Sequence, residues 1–128
     1  MLDHLGISVS DYPKSKAFYL QVLATLGHEC VMEITPEMTG GDSLHCGFGS
    51  NKKPSFWISS VGEVCPSIHI AFTASNRAEV DAFYHAALAA GGKDNGAPGL
   101  RPIYHPNYYG AFIIDLDGHN IEAVCHSA

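Results

Sequence analysis

The sequence predicts an α+β fold in which two βαβββ modules follow one another and form a mixed sheet. Three observations carry this prediction: an internal repeat, a strand-like alternation at the start of each copy, and a helix-like apolar face directly after it. The modules span about residues 1–60 and 66–128, with Gly62 and Pro66 marking the joint. We expect residues 1–128 to form a single domain, because each module alone is marginally small.

The internal repeat is visible without a gap between residues 4–27 and residues 69–92, so residue 4 corresponds to residue 69. Eight of the 24 aligned positions are identical, where chance would give about one or two. The identical pairs are His4/His69, Ser10/Ser75, Ala17/Ala82, Phe18/Phe83, Tyr19/Tyr84, Leu23/Leu88, Ala24/Ala89 and Gly27/Gly92.

Each copy opens with a segment typical of a half-buried strand, since apolar side chains alternate with small or polar ones. The apolar positions are Leu5, Ile7 and Val9 in the first copy and Ile68, Ile70 and Phe72 in the second. A helix is predicted next in both. In the second copy Val80, Phe83, Tyr84, Ala87 and Leu88 share one helical face.

The helix boundaries follow from capping residues. Asn76, with Glu79 three residues later, predicts an N-terminus, and Asp11 before Pro13 predicts the corresponding one. Gly27 and Gly92 predict the C-termini.

The remainder of each copy predicts strands and turns. The candidate strands are 28–35, 44–49, 55–60, 111–116 and 120–126, with turns at 51–54 and 117–119. The segment 95–110 is rich in Pro and Gly and is left without an assignment.

Composition excludes several classes of protein. With 46% hydrophobic residues the chain has enough apolar material for a core, and no apolar run reaches the roughly 18 residues of a membrane helix. Thirteen acidic against seven basic residues argue against nucleic acid as a partner. We find no secretory signal, so a cytoplasmic location with free thiols is expected, although four cysteines could also form two disulfides.

Three residues are candidate metal ligands. His4 and His69 stand at equivalent places in the two copies, beside small residues, and Glu122 lies within a strand among apolar neighbours. A buried carboxylate needs a partner, and two histidines with one carboxylate form a facial triad. The alternatives are hydrogen-bonded structural histidines and a Glu122 paired with a lysine or arginine.

Four segments resemble the vicinal oxygen chelate superfamily, which contains glyoxalases, bleomycin resistance proteins and extradiol dioxygenases. The segments are DHLGISVSD at 3–11, AFY at 17–19, HIAF at 69–72 and DLDGHNIE at 115–122. The resemblance implies that the modules curl into a glyoxalase-like cup around a divalent metal. It also implies His4, His69 and Glu122 as the ligands, and a homodimer.

Trp57 departs from the four-ligand members of that family. Glyoxalase I has a fourth ligand on the last strand of the first module, where the repeat places Trp57. The remaining three-ligand set is similar to that of extradiol dioxygenases and fosfomycin resistance transferases. We expect Trp57 to form a wall of the substrate pocket, with simple core packing as the alternative.

The aromatic segment 99–110 holds the other candidates. We expect Arg101 and Tyr104 to contact the substrate, Arg101 through a carboxylate or phosphate, and His105 or Tyr109 to transfer protons. A rigid surface loop is the alternative. His126 shares the strand face of Glu122 and, like His45, is a marginal candidate, whereas His28, His85 and His119 are assigned no function.

The function expected is therefore that of a metal-dependent enzyme on a small molecule, with lyase, dioxygenase or thiol-transferase chemistry. The cofactor would be one divalent ion: Fe, Mn, Ni or Zn. A metal-free ligand-sequestering protein of the bleomycin resistance type is the alternative, and a structural or regulatory domain is the third hypothesis.

Overall fold

The computed structural model describes residues 1–128, which divide into two compact units, Met1–Cys65 and Pro66–Ala128. The first unit contains β1 (Leu5–Ser8), α1 (Tyr12–Ala24), β2 (Glu29–Ile34), the short α2 (Pro36–Thr39), β3 (His45–Ser50) and β4 (Lys53–Ser59). The second contains β5 (His69–Thr73), α3 (Arg77–Ala89), β6 (Lys93–Leu100), β7 (Tyr109–Ile114) and β8 (Asn120–Cys125). Each unit is thus βαβββ, apart from the added turn of α2.

Each unit has one open four-stranded sheet with the same topology. The strand orders are β1-β4-β3-β2 and β5-β8-β7-β6. The first strand of each unit runs parallel to the last, and the other neighbours are antiparallel. The predicted α+β class with two mixed-sheet modules is confirmed.

The strand register preserves the repeat. Gly6 pairs with Trp57 in the first sheet, and the corresponding Ala71 pairs with Glu122 in the second. The helices also correspond, since α1 and α3 each have 13 residues and begin at equivalent positions. Trp57 therefore occupies the place in its sheet that Glu122 occupies in the other.

The helices α1 and α3 form where the sequence predicts them, because the capping residues and the apolar face of each helix indicate the same segment. The side chain of Asp11 accepts from the backbone N–H of Lys14 (3.2 Å), and that of Asn76 accepts from Glu79 (2.9 Å). No helix is long and apolar enough to cross a bilayer.

The buried faces of helix and sheet form a core in each unit. In the first unit Phe18 and Tyr19 of α1 are buried, and the ring of Tyr19 contacts Phe48 and Phe56 of the sheet. In the second unit the core consists of fully buried apolar side chains of α3 and the sheet, among them Val80, Phe83, Ala87, Ala111, Ile113, Ile121 and Ala123.

Strand bounds differ from prediction where turns are tighter than the sequence suggests. Asn51 and Lys52 both have positive φ (51° and 62°), so the turn closes in two residues and β4 begins at Lys53. Part of the unassigned segment 95–110 is a strand: β6 continues to Leu100 through two irregularities in its pairing with β7.

Candidate functional site

The candidate centre of the second unit lies where the parallel strands β5 and β8 adjoin. Nε2 of His69 is 3.1 Å from Oε2 of Glu122. Glu122 is only 2% exposed, whereas half of the His69 side chain is open to solvent. The Glu122 carboxylate is therefore buried inside the unit, and the partly exposed imidazole of His69 lies next to it.

The ring nitrogens of His69 have assignable roles. Nδ1 lies 3.0 Å from the carbonyl oxygen of Asn120, which only accepts, so Nδ1 carries a hydrogen. In the neutral ring Nε2 then has a lone pair and no hydrogen, so it is an acceptor. It faces Oε2 of Glu122, which is also an acceptor. Two facing acceptors repel, so the contact needs a cation between Nε2 of His69 and Oε2 of Glu122: a proton, carried by either group, or a metal ion.

The other oxygen of Glu122 is held by Tyr108, whose hydroxyl donates to Oε1. Burial, and then this hydrogen bond, raise the pKa of Tyr108, so its hydroxyl stays protonated and remains a donor. Gly110 makes room for the pair, because a Cβ there would lie 3.2 Å from Oε1 of Glu122 and 3.3 Å from the Tyr108 ring.

Aromatic side chains surround Tyr108. Its ring centroid is 4.8 Å from that of Tyr104, 5.5 Å from that of His105 and 5.3 Å from that of His126. Tyr104 and His105, two of the predicted site residues, are therefore neighbours of the residue that holds Glu122.

His105 and His126 form a hydrogen-bonded pair, with Nε2 of His105 2.8 Å from Nδ1 of His126. The backbone N–H of Asn107 donates to Nδ1 of His105 (3.1 Å), so this nitrogen has no hydrogen of its own. Hence Nε2 of His105 is the donor and Nδ1 of His126 the acceptor. His126, a marginal candidate in the sequence, belongs to this cluster.

Arg101 contacts the aromatic ring of Phe112. Its guanidinium is 5.5 Å from the centroid of Phe112, and that ring stacks on His69 at 6.2 Å. One of its nitrogens donates to the carbonyl of Ala97 at 2.7 Å, which folds the side chain back over its own strand. Arg101 and His69 thus share Phe112 as a neighbour.

Tyr109 points to a different neighbour from Tyr108. Its hydroxyl donates to Asp81 of α3 at 2.7 Å, and Arg77 of α3 lies over its ring at 5.1 Å. The hydroxyl next to Glu122 comes from Tyr108, which is not among the site residues predicted from the sequence. The register contains the signal: Phe112 pairs with Glu122 and Gly110 with Val124, so even-numbered residues of this hairpin share a face.

The first unit contains His4, whose Nδ1 lies 2.7 Å from Oδ1 of Asp3. Lys53 donates to the same carboxylate at 2.7 Å. The hydrogen bonds from His4 and Lys53 lower the pKa of Asp3. Since Nδ1 faces a carboxylate, Nε2 of the neutral His4 ring presents a lone pair.

A pocket of about 430 Å³ opens in the first unit. Its lining consists of His4, Gly6, Ile7, Ser8, Ile34, His45, Trp57 and Ser59. Trp57 forms part of this wall because Gly47 leaves space beneath the indole: a Cβ at Gly47 would lie 2.8 Å from the ring.

The predicted metal ligands are thus divided between the units. His69 and Glu122 lie together in the second unit, and His4 belongs to the first. Within neither unit do three His, Cys, Asp or Glu side chains come together as a metal site. His119 is fully buried and accepts from the backbone N–H of Ile68 at 3.2 Å, which is a structural role.

Comparison with known proteins identifies relatives over nearly the whole chain. Residues 1–123 match the family model of the Glyoxalase/Bleomycin resistance protein/Dioxygenase superfamily. A glyoxalase/bleomycin resistance protein from Albidiferax ferrireducens is 27% identical, with 98% of each chain covered and a TM-score of 0.80. A search of curated proteins finds no significant match.

Two further structures share the fold at lower identity. The genomically encoded fosfomycin resistance protein FosX from Listeria monocytogenes, solved with Mn(II) and sulfate, is 20% identical, with 98% of this chain and 91% of that chain covered and a TM-score of 0.68. Glyoxalase I from Zea mays is 19% identical at a TM-score of 0.67, with 97% of this chain covered. The match spans 45% of the maize chain, which is about twice as long.

Proposed function

Because the chain belongs to the glyoxalase/bleomycin resistance protein/dioxygenase superfamily, we propose that it is a metal-dependent enzyme acting on a small molecule. His69 and Glu122 would hold one divalent ion, Fe, Mn, Ni or Zn, and His4, the third predicted ligand, is tested separately by substitution. The observation that carries the proposal is the pair of facing acceptors, Nε2 of His69 and Oε2 of Glu122, at 3.1 Å.

The chemistry of this pair suits a metal. Nδ1 of His69 is engaged by a backbone carbonyl, which is the usual arrangement for a histidine that binds a metal through its other nitrogen. Glu122 is buried beside a neutral hydroxyl and an imidazole, so its negative charge calls for a cation. His4 is included in the test because it is the repeat equivalent of His69 and its Nε2 likewise has a lone pair in the neutral ring.

A bound divalent ion would act as a Lewis acid that holds two substrate oxygens and stabilises the negative charge developing on them. Other side chains would position the ligand and bind the substrate. Tyr108 fixes the carboxylate of Glu122, and Arg101 offers a cation to an anionic substrate group. The His105–His126 pair is hydrogen-bonded beside the ring of Tyr108, so we assign it the uptake or release of the substrate proton.

The substrate class follows from the pocket and from the ligand set. A pocket of about 430 Å³ with an indole wall suits a small molecule with a flat or apolar portion. Trp57 stands where a fourth ligand would be needed, which favours dioxygenase or thiol-transferase chemistry over a glyoxalase I type lyase. We also propose a homodimer in the cytoplasm, to be checked by sedimentation velocity and fractionation.

Metal analysis of protein purified without an affinity tag tests the proposal. We expect one divalent ion per chain, lost in His69→Ala, Glu122→Gln and His4→Ala. His85→Ala on a helix and Glu29→Gln on a strand are matched controls that should keep the metal. A folded wild-type protein with no metal and no affinity for Mn, Fe, Ni or Zn would overturn it.

Activity then separates the reaction classes. Anaerobic reconstitution with Fe(II), or loading with Mn(II), is followed by a panel of catechols, thiol hemiacetals and epoxides. Turnover of one class that disappears in Glu122→Gln supports the enzyme.

The first-unit pocket favours a second candidate, a metal-free binding protein, because it has a defined volume and no carboxylate in its lining. This candidate predicts ligand affinity that is the same in Glu122→Gln and in the presence of a chelator.

A further inference from the structure

Two cysteines of the first unit lie in direct contact. Sγ of Cys30 is 2.6 Å from Sγ of Cys46, and both are free thiols. A disulfide bond is about 2.0 Å long, so the sulfurs need to approach by only about 0.6 Å to bond.

The strand pairing explains this contact. Cys30 on β2 pairs with Phe48, and Cys46 lies two residues from Phe48 on β3, so both cysteines share one face of the ladder. The register shifts between Cys30 and Met32, and this irregularity brings the diagonal neighbours closer.

The two thiols differ in access. Cys30 is partly exposed, whereas Cys46 is fully buried. Burial, together with the Cys30 sulfur, raises the pKa of Cys46. A soluble reagent therefore meets Cys30 first, and Cys46 is the group that can resolve the resulting adduct.

We propose that Cys30 and Cys46 are a redox modification site that forms a reversible disulfide within the chain when it meets a low-molecular-weight disulfide. The Cys30 thiolate attacks one sulfur of the reagent, forms a mixed disulfide and releases one thiol. Cys46 gives up its proton and attacks the sulfur of Cys30, which expels the second thiol. In total, the two protein thiols are oxidised and the reagent is reduced to two thiols.

The disulfide between Cys30 and Cys46 would form next to the lining of the first-unit pocket. His45 and Ile34 pair across β3 and β2, and both line the first-unit pocket. Cys46 is the next residue after His45. A disulfide would therefore tie β2 to β3 beside the pocket wall and restrict movement of that edge.

The test uses the full chain with Cys65→Ser, which removes the one exposed thiol and leaves Cys30, Cys46 and the buried Cys125. After incubation with glutathione disulfide, intact mass and thiol titration are measured. We expect loss of two of the three thiols, a mass lower by two hydrogens, and a Cys30–Cys46 peptide. Dithiothreitol should restore all three thiols.

Two further variants assign the roles of the thiols. Cys46→Ser should trap a stable glutathione adduct on Cys30, and Cys30→Ser should stay unmodified while folded, as judged by circular dichroism. Three unreacted thiols, a persistent adduct in the chain that retains both cysteines, or a disulfide mapped to Cys125 would each overturn the proposal. If a serine variant fails to fold, the peptide map of the Cys65→Ser chain decides by itself.

Discussion

Trp57 and Glu122 occupy the same place in their respective sheets. Trp57 on β4 lies between Gly6 and Gly47, and Glu122 on β8 lies between Ala71 and Phe112. The duplicated framework therefore presents an indole in one unit and a carboxylate in the other. The indole lines the pocket of the first unit, and the carboxylate is buried in the second.

Trp57 is the single tryptophan, so its fluorescence should report occupancy of the first-unit pocket. We expect a bound substrate analogue to change the emission, and Trp57→Ala to weaken binding of an aromatic compound about 2- to 10-fold through loss of ring contact. Equilibrium titration measures both. Binding without any change in emission would show that Trp57 is not part of the occupied wall.

Tyr108→Phe should weaken metal binding about 10-fold, because Oε1 of Glu122 loses its hydrogen-bond donor. Competition with a chromogenic chelator measures the affinity. Tyr104→Phe is the control, since Tyr104 is 63% exposed and contacts Tyr108 through its ring. Equal affinities in the two variants would remove Tyr108 from the site.

Gly110→Ala should lower metal affinity while the protein stays folded. The added Cβ would lie 3.2 Å from Oε1 of Glu122, so the carboxylate or the Tyr108 ring must move. Gly41→Ala is the control, because its nearest neighbour is a hydroxyl 3.9 Å away. Affinity and thermal unfolding are measured for both, and unchanged affinity in Gly110→Ala would contradict the tight packing.

Tyr12→Phe should leave stability unchanged or raise it by up to about 1 kcal/mol, because the buried Tyr12 hydroxyl has no hydrogen-bond partner. In Tyr109→Phe, by contrast, a bond to Asp81 is lost, and about 1 kcal/mol of destabilisation is expected. Urea unfolding near neutral pH measures both. A Tyr12→Phe variant as destabilised as Tyr109→Phe would contradict this account.

Tyr12→Phe should also make the free energy of unfolding fall less steeply as the pH rises into the alkaline range. Burial raises the pKa of Tyr12 above its ordinary value of 10.0, so the unfolded chain ionises first as the pH rises. The unfolded state then binds fewer protons than the folded state, and stability falls with pH above about 10. Urea unfolding between pH 8 and about pH 11 should show a shallower decline in Tyr12→Phe.

Helix capping gives a prediction for each unit. Asp11→Ala and Asn76→Ala each remove an acceptor from a first-turn N–H and should cost about 1 kcal/mol. Replacement by serine, which can still accept, should restore most of the loss. Denaturant unfolding measures this, and a serine variant no better than alanine would contradict the capping role.

Part of the candidate centre can be predicted from the sequence because it depends on local patterns along the chain. The repeat and the strand alternation indicate His69, the strand alternation indicates Glu122, and the two residues lie on adjoining strands. The sequence does not distinguish Tyr108 from Tyr109 as the neighbour of Glu122, because the segment 95–110 has no strand pattern that assigns their faces. Without the hairpin register nothing in the sequence says which of two adjacent tyrosines shares a face with Glu122.

The sequence by itself determined the duplicated βαβββ order, the helix caps and the equivalence of Trp57 with Glu122, because each depends on periodicity or constant spacing along the chain. Only the tertiary structure decided the contact of Cys30 with Cys46, the donor to Glu122 and the pair of His105 with His126. Those contacts join residues 14 to 21 positions apart. They depend on a bulge, a turn and a strand register, and these arise when segments pack together rather than from any single segment.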